Sequence, residues 1–280
     1  MMNLIKSNRK INLSYVIGRF SPEIGSNFQY FPIDNWEKDL KTAKKFNFDG
    51  TEWIVSDFSN PIFNQTFRKI IKSSLKKDKL KICSLSLDMI MDYPLHKMKD
   101  SDVDWIIKKL LIIIKYFSIN RVTIPIEERS RFNNYKEKES AIKCLRKFYT
   151  AIHKISNLCI ETDISPNALN EIFNLKYFKK LGVLLDLGNT KAHGFAIDDY
   201  IKMFPKKIYG VHIKQRSSLF GKTRRLEKNF KELKILLKNL DKLSNCKDIT
   251  FQTFKSNKNY QKDMKYSLKN FKICIKENLH

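Results

Sequence analysis

Four short apolar runs in the second half of the chain each carry one polar donor near their C-terminal end. They are Cys159-Ile160-Glu161-Thr162-Asp163, Val183-Leu184-Leu185-Asp186-Leu187-Gly188-Asn189, Tyr209-Gly210-Val211-His212-Ile213-Lys214 and Ile249-Thr250-Phe251-Gln252-Thr253-Phe254. Glu161, Asp186, His212 and Gln252 would together offer two carboxylates, an imidazole and an amide oxygen. Such hard donors select a divalent cation: Mn²⁺, Mg²⁺, Co²⁺ or Zn²⁺. An ion held there could polarise a hydroxy-ketone and stabilise an enediolate, leaving a carboxylate to move a proton. Taken singly, each residue has a structural explanation. A strand-end carboxylate often caps the next helix or pairs with a lysine, and a lone histidine is more often a packing residue than a ligand. Recurrence at four successive run ends is what favours a site.

For these residues to converge, the runs must be parallel strands ending at one face. Eight β-prone runs recur along the chain: Ile11–Ile17, Gly50–Val55, Lys81–Leu87, Asn120–Ile126, Leu158–Thr162, Gly182–Leu187, Ile208–Ile213 and Asp248–Phe254. Each is rich in Val, Ile, Thr or aromatics and bounded by Asn, Asp, Gly or Lys. Helical patterns lie between them. Asp34–Phe46 opens on Asp34 as an N-cap, with Trp36, Leu40 and Ala43 on one stripe. Asp102–Phe117 places Trp105, Ile106, Leu110 and Ile113 together, and Lys138–Ser156, Ser165–Leu175, Ile197–Met203 and Leu226–Leu243 continue the alternation. Pro166 suits the first helical position after Ser165. Over 280 residues, eight such units average 35 each, the proportion of a (β/α)₈ TIM barrel. A doubly wound open sheet would want a Gly-rich phosphate loop after its first strand, and neither GxGxxG nor GxxxxGK[ST] occurs. The reading is one barrel domain spanning residues 1–280.

Composition narrows the class further. With 42% hydrophobic and 12% aromatic residues, the chain has ample core material. The best membrane-span candidate, Trp105 to Phe117, is short and broken by Lys108, Lys109 and Lys115, so no span is expected. Met1 to Lys10 has no apolar core for a signal peptide. The scattered Cys83, Cys144, Cys159, Cys246 and Cys274 form no CxxC pair and read as reduced thiols of a cytoplasmic protein. A net charge of +25 raises nucleic acid as a partner. The excess is mostly Lys, spread along the whole chain of a sequence also rich in Asn, Ile and Phe. That pattern fits A+T-rich codon usage and a solvated surface better than phosphate-gripping arginine clusters.

At its sixth and seventh runs the chain resembles the sugar phosphate isomerase/epimerase family of the xylose isomerase-like TIM barrels, in the branch of hexulose-phosphate isomerases and pentulose-phosphate 3-epimerases. Asp186-Leu187-Gly188-Asn189 looks like the family's D-x-G-N, and Val211-His212-Ile213-Lys214-Gln215-Arg216 like its V-H-I-K-D-R. Weaker echoes are Phe46 to Ile54, similar to the second strand, and Ser84 to Asp88 with Tyr93-Pro94-Leu95, similar to the third. The resemblance implies Glu161 as metal ligand and acid/base, and Asp186 and His212 as ligands. It places Glu52 and Asp88 near the substrate, Arg216 on a substrate oxyanion or phosphate, and Asn189 in support of the loop after strand six. His193, in that same loop, is a further substrate-site candidate. Related barrels often form homodimers, and no residue of this sequence identifies such an interface.

Two positions depart from the family pattern. Its strand-eight Glu, fourth ligand and second acid/base, corresponds here to Gln252, and its Asp between Lys214 and Arg216 is Gln215. Loss of that carboxylate should weaken the metal or abolish its binding. With Glu161 as sole base, a 1,2-isomerisation along one face is easier to sustain than a 3-epimerisation, which usually needs two bases. Three functions follow in order: a metal-assisted isomerase/epimerase of a sugar or sugar phosphate; a degenerate barrel that binds a sugar without turnover; and a metal-dependent endonuclease on abasic DNA. The last needs many imidazoles, and the chain has five histidines, of which only His193, in the loop after strand six, could join His212.

Overall fold

In the computed structural model, residues 10–23, 29–217, 223–256 and 258–278 are described. The segment 1–9, read above as lacking a leader's apolar core, lies outside them. Each of the eight expected runs coincides with a strand to within a few residues: β1 (Asn12–Val16), β2 (Gly50–Ile54), β3 (Lys81–Ser86), β4 (Arg121–Ile126), β5 (Asn157–Thr162), β6 (Gly182–Asp186), β7 (Ile208–Ile213) and β8 (Asp248–Phe251). All pair in parallel and close into a barrel in the order β1-β8-β7-β6-β5-β4-β3-β2. The (β/α)₈ TIM barrel expected from the spacing is therefore the fold.

The outer ring is α1 (Trp36–Lys45), α2 (Gln65–Asp78), the single turn α3 (Met89–Asp92), α4 (Asp100–Phe117), α5 (Tyr135–Ile152), α6 (Pro166–Phe173), α7 (Leu187–Ala192), α8 (Ile197–Met203), α9 (Lys231–Asn239) and α10 (Tyr260–Asn278). Ser165 caps α6 by accepting from Ala168 N, with Pro166 at the first helical position. The stripe on α1 is buried as read, through Trp36, Leu40 and Ala43. Trp105 departs from its expected place: it is 37% exposed and packs sideways against Phe58 and Phe63. All five cysteines are buried thiols. Among the described residues, no helix is long and apolar enough to cross a membrane.

The inside of the barrel is unusually polar for a packed (β/α)₈ core. Arg121 enters from the start of β4 and is 1% exposed. Its Nη2 donates to Glu52 Oε2 at 3.0 Å and to Asp248 Oδ1 at 2.5 Å, and its Nη1 donates to Thr123 Oγ1. Ser14 and Thr250 share a 2.7 Å hydroxyl bond nearby. A buried charge persists only when paired and hydrogen-bonded, and Arg121 is both. The small residue Gly210 makes the room: a Cβ there would stand 2.7 Å from Arg121 Nε.

Candidate metal and substrate site

Three of the four sequence-predicted ligands meet at the C-terminal end of the barrel. Glu161 is on β5, Asp186 ends β6, and His212 is on β7, where the β6–β7 register pairs it with Asp186. One ligand atom from each lies within 4.8 Å of the others. His212 Nδ1 is 3.2 Å from Glu161 Oε1 and 3.8 Å from Asp186 Oδ2. Asp186 has two jobs. Its Oδ1 caps α7 by accepting from Asn189 N at 2.8 Å, while Oδ2 is buried and, among the described residues, has no hydrogen-bond donor. Lys214 Nζ approaches that oxygen at 3.5 Å.

The electrostatics follow from packing carboxylates around one imidazole. Burial alone would lift the Asp186 carboxyl; Lys214 and His212 outweigh it and hold it at about 2. Burial works against a charged His212, but Glu52 and Glu161 reverse this and hold its pKa well above the usual histidine range. Two buried carboxylates and an imidazole of this geometry fit a divalent cation, and the donorless Asp186 Oδ2 is the acceptor such an ion would satisfy.

Gln252 is placed just past β8, because that strand stops at Phe251 and not at Phe254 as the sequence run implied. Its Nε2 donates to Gln29 Oε1 at 2.8 Å, and Gln29 Nε2 donates in turn to Asp88 Oδ2 at 2.7 Å. Gln252 Oε1, like Asp186 Oδ2, is a buried oxygen that lacks a donor among the described residues. The structure thus ties Gln252 into a chain of amides across the mouth and keeps its oxygen available.

Above these residues opens a cavity of about 270 Å³, lined by Glu161, Gln252 and Asp88 together with Arg19, Gln29, Tyr30, Glu127, Glu128 and Lys214, among others. It is below the roughly 300–1,000 Å³ of drug-sized sites, and its wall is dominated by groups that hydrogen-bond hydroxyls. Asp88 is pushed up to about 6 by burial, with Glu161 and Glu52 adding to the shift against the hydrogen bonds from Gln29 and Ser86. Glu127, immediately after β4, is raised well above the carboxylate range by burial and by Glu161. It was not singled out from the sequence, although the strand-end rule applied to Ile124-Pro125-Ile126-Glu127 would have found it. Arg19 and Gln29 come from the connection after β1, where no local pattern signals a site.

Asp186 and His212 lie outside this lining, and so do four of the five candidates for substrate contact. Glu52, expected beside the substrate, is 1% exposed and sits within the barrel between Arg121 and His212. Arg216 Nη1 is engaged by Glu128 Oε1 at 3.0 Å and Asn189 Oδ1 at 2.9 Å. Asn189 also donates to Glu127 Oε2 at 2.6 Å, so its support reaches from β6 to β4. His193 Nε2 is 3.3 Å from both Arg131 Nη2 and Asp163 Oδ2, and its Nδ1 meets Asn189 O at 2.9 Å. These three residues brace the loops around the mouth.

No protein-family model matches the sequence, and no curated protein does. Solved structures do match in fold. An IOLI protein with a bound zinc atom superposes with a TM-score of 0.71 at 12% identity, covering 96% of this chain and 99% of that one. A xylose isomerase domain protein from Planctomyces limnophilus gives 0.70 at 11% identity, covering 96% and 98%. D-Psicose 3-epimerase from Clostridium cellulolyticum H10, solved with D-tagatose, gives 0.62 at 11% identity, covering 96% of each chain. At such identities the shared property is the fold, a closed (β/α)₈ barrel.

Proposed function

We propose that the protein is a metal-assisted isomerase or epimerase of a small sugar or sugar phosphate, with Glu161 as the base. The observation that carries this reading is the cluster of Glu161, Asp186 and His212 ligand atoms within 4.8 Å of one another, with Glu161 also lining a polar cavity. Solved barrels of the same fold, one with zinc and one an epimerase with its ketose, support it.

A divalent ion held by Glu161, Asp186 and His212 would supply charge stabilisation for the enediolate oxygens. The chain does the rest. Glu161 removes the carbon-bound proton next to the carbonyl and returns it. Lys214 offers an ammonium beside Asp186, and Asp88 and Gln29 present acceptors and donors for sugar hydroxyls. Glu127 faces the same cavity with a carboxyl whose pKa is pushed up by burial and by Glu161, suited to give a proton to a sugar oxygen. It supplies a second acid/base group in a site where strand eight has Gln252.

Solvent-deuterium incorporation, followed by NMR over a panel of pentuloses, hexuloses and their phosphates with Mn²⁺, tests the reading. Exchange that vanishes in Glu161→Gln supports it, and the labelled carbon separates isomerase from epimerase. Gln252 motivates a second reading, a barrel that binds a sugar without turnover. That alternative predicts thermal stabilisation by a sugar with no exchange anywhere in the panel.

A further inference from the structure

We infer that Glu52 is a positioning residue that fixes the ring of His212 and aims its Nδ1 at Glu161 and Asp186, and that it does not bind substrate. Glu52 Oε1 lies 2.7 Å from His212 Nε2. Its other oxygen, Oε2, accepts from Arg121 Nη2 at 3.0 Å and from Ser84 Oγ at 2.8 Å. A carboxylate paired with a guanidinium can only accept, so the 2.7 Å contact requires the proton on Nε2. That assignment leaves Nδ1 as the ring nitrogen facing the two ligand carboxylates, at 3.2 and 3.8 Å. Histidine ligands are characteristically held this way, with the far nitrogen donating to a carboxylate that sets ring orientation and tautomer.

The clamp is itself anchored. The β2–β3 pairing shifts register between Thr51 and Glu52, the kind of irregularity that re-aims a side chain. Arg121 is braced from below by Asp248 at 2.5 Å, and Gly210 leaves space for its guanidinium. A continuous line of contacts therefore runs from Asp248 near the start of β8, through Arg121 and Glu52, to His212. Glu52 and Arg121 are each 1% exposed, and Glu52 lies outside the lining of the mouth cavity. A sugar in that cavity would meet Glu161 and Gln252, not Glu52.

The metal arm of this inference rests on His212 being a ligand, as proposed above; the orientation of the ring does not. The test uses full-length protein with ¹⁵N-labelled histidine, as wild type, Glu52→Ala and Glu52→Gln, the last keeping side-chain volume should the alanine variant fold poorly. Long-range ¹H–¹⁵N spectra of metal-free protein, with His212 assigned by its loss in His212→Asn, should show a protonated, hydrogen-bonded Nε2 in wild type. That signature should be shifted or lost in the Glu52 variants. In parallel, Mn²⁺ affinity should fall about ten- to a hundredfold in Glu52→Ala, while sugar affinity at saturating Mn²⁺ stays within twofold of wild type. An unprotonated Nε2 in wild type, or His212 signals unchanged by both substitutions, overturns the inference. So does an unchanged Mn²⁺ affinity combined with weakened sugar binding, which would return Glu52 to the substrate. Wild type that binds no Mn²⁺ would instead overturn the proposed function, and the metal-free spectra would still decide the placement of Glu52.

Discussion

Asn189 donates its side-chain amide to Glu127 Oε2 at 2.6 Å and accepts from Arg216 Nη1 at 2.9 Å. One amide thus ties together the ends of β4, β6 and β7, and it sets the direction of a carboxyl that shares a cavity with Glu161. Asn189 comes immediately after the Leu187-Gly188 that opens α7, and its backbone N–H is already engaged by Asp186. The orientation of Glu127 is therefore inherited from the same turn that presents Asp186.

The upward shift of the Glu127 carboxyl leads to the first prediction. Glu127→Gln keeps the volume and an oxygen for Asn189 but removes the transferable proton. Turnover should fall by about two orders of magnitude, within the usual contribution of a positioned acid or base. Mn²⁺ affinity should stay close to wild type, because Glu127 is outside the ligand cluster. Steady-state kinetics beside a metal titration checks this. An unchanged kcat would remove Glu127 from the chemistry.

A second prediction concerns the amide that replaces the family's strand-eight carboxylate. Gln252→Glu puts a negative charge where Gln252 Oε1 is now buried without a donor. Metal affinity rises with ligand charge, so Mn²⁺ should bind at least about tenfold more tightly. The substitution also removes the donor to Gln29, which loosens the link to Asp88, so sugar affinity should drop modestly. Competition with a chelating indicator separates the two effects. Equal Mn²⁺ affinity in wild type and variant would mean that residue 252 points away from the ion.

Much of this architecture was legible in the sequence, and the exceptions have physical causes. The eight strands announce themselves because each is a short β-branched or aromatic run closed by a turn former. The helix α10 was hidden because its inward face carries Asp263, Ser267 and Asn270 beside Met264, Leu268 and Phe271. Those polar residues are consumed locally: Asp263 accepts from Arg225 and Ser256, and Asn270 donates to Leu226 O. A stripe that mixes Asp and Asn with Leu and Phe has no clean 3.6-residue period. In the site, Glu161, Asp186 and His212 follow directly from the rule that barrel chemistry sits at strand ends. Glu127 escaped because it falls one residue past the run Asn120–Ile126 that reads as the strand. The depth of Glu52 was not legible, because sequence spacing shows which strand a residue is on, whereas its burial depends on Arg121, which reaches it from another strand.

Asp88 provides a third prediction, from pH. Its carboxyl is raised to about 6, chiefly by burial. A carboxyl whose folded pKa exceeds the unfolded value makes the native state the stronger proton binder, so its contribution to stability declines as pH rises from about 4 to about 6. Asp88→Asn keeps the shape without the charge. The two proteins should unfold at similar denaturant concentrations near pH 4.5. By pH 7.5 the variant should be more stable than wild type by an amount on the order of 1 kcal/mol, moderated by water in the half-buried mouth. Chemical denaturation at the two pH values measures the difference, and a gap that does not depend on pH would contradict a raised pKa.

Gly210 is where the buried network leaves no room for a side chain. A Cβ at this position would lie 2.7 Å from Arg121 Nε and 2.9 Å from its Cζ. These are guanidinium atoms, and the group has little freedom to retreat, since Asp248, Glu52 and Thr123 hold its nitrogens. Gly210→Ala should therefore cost about 1–3 kcal/mol, the usual penalty for overpacking a core, and lower Tm by several degrees. The displacement should also travel up the line of contacts: Arg121 can move only by pulling on Glu52, and Glu52 holds His212. Mn²⁺ affinity should thus weaken along with stability. Gly194→Ala is the comparison, because its Cβ would meet nothing within 4 Å while its φ of +77° still penalises a side chain. That variant should lose about 1–2 kcal/mol through the backbone alone and keep its Mn²⁺ affinity. Loss of stability in both with loss of metal affinity only in Gly210→Ala is the expected pattern. Unchanged metal binding in Gly210→Ala would mean that the buried network can relax without moving the histidine above it.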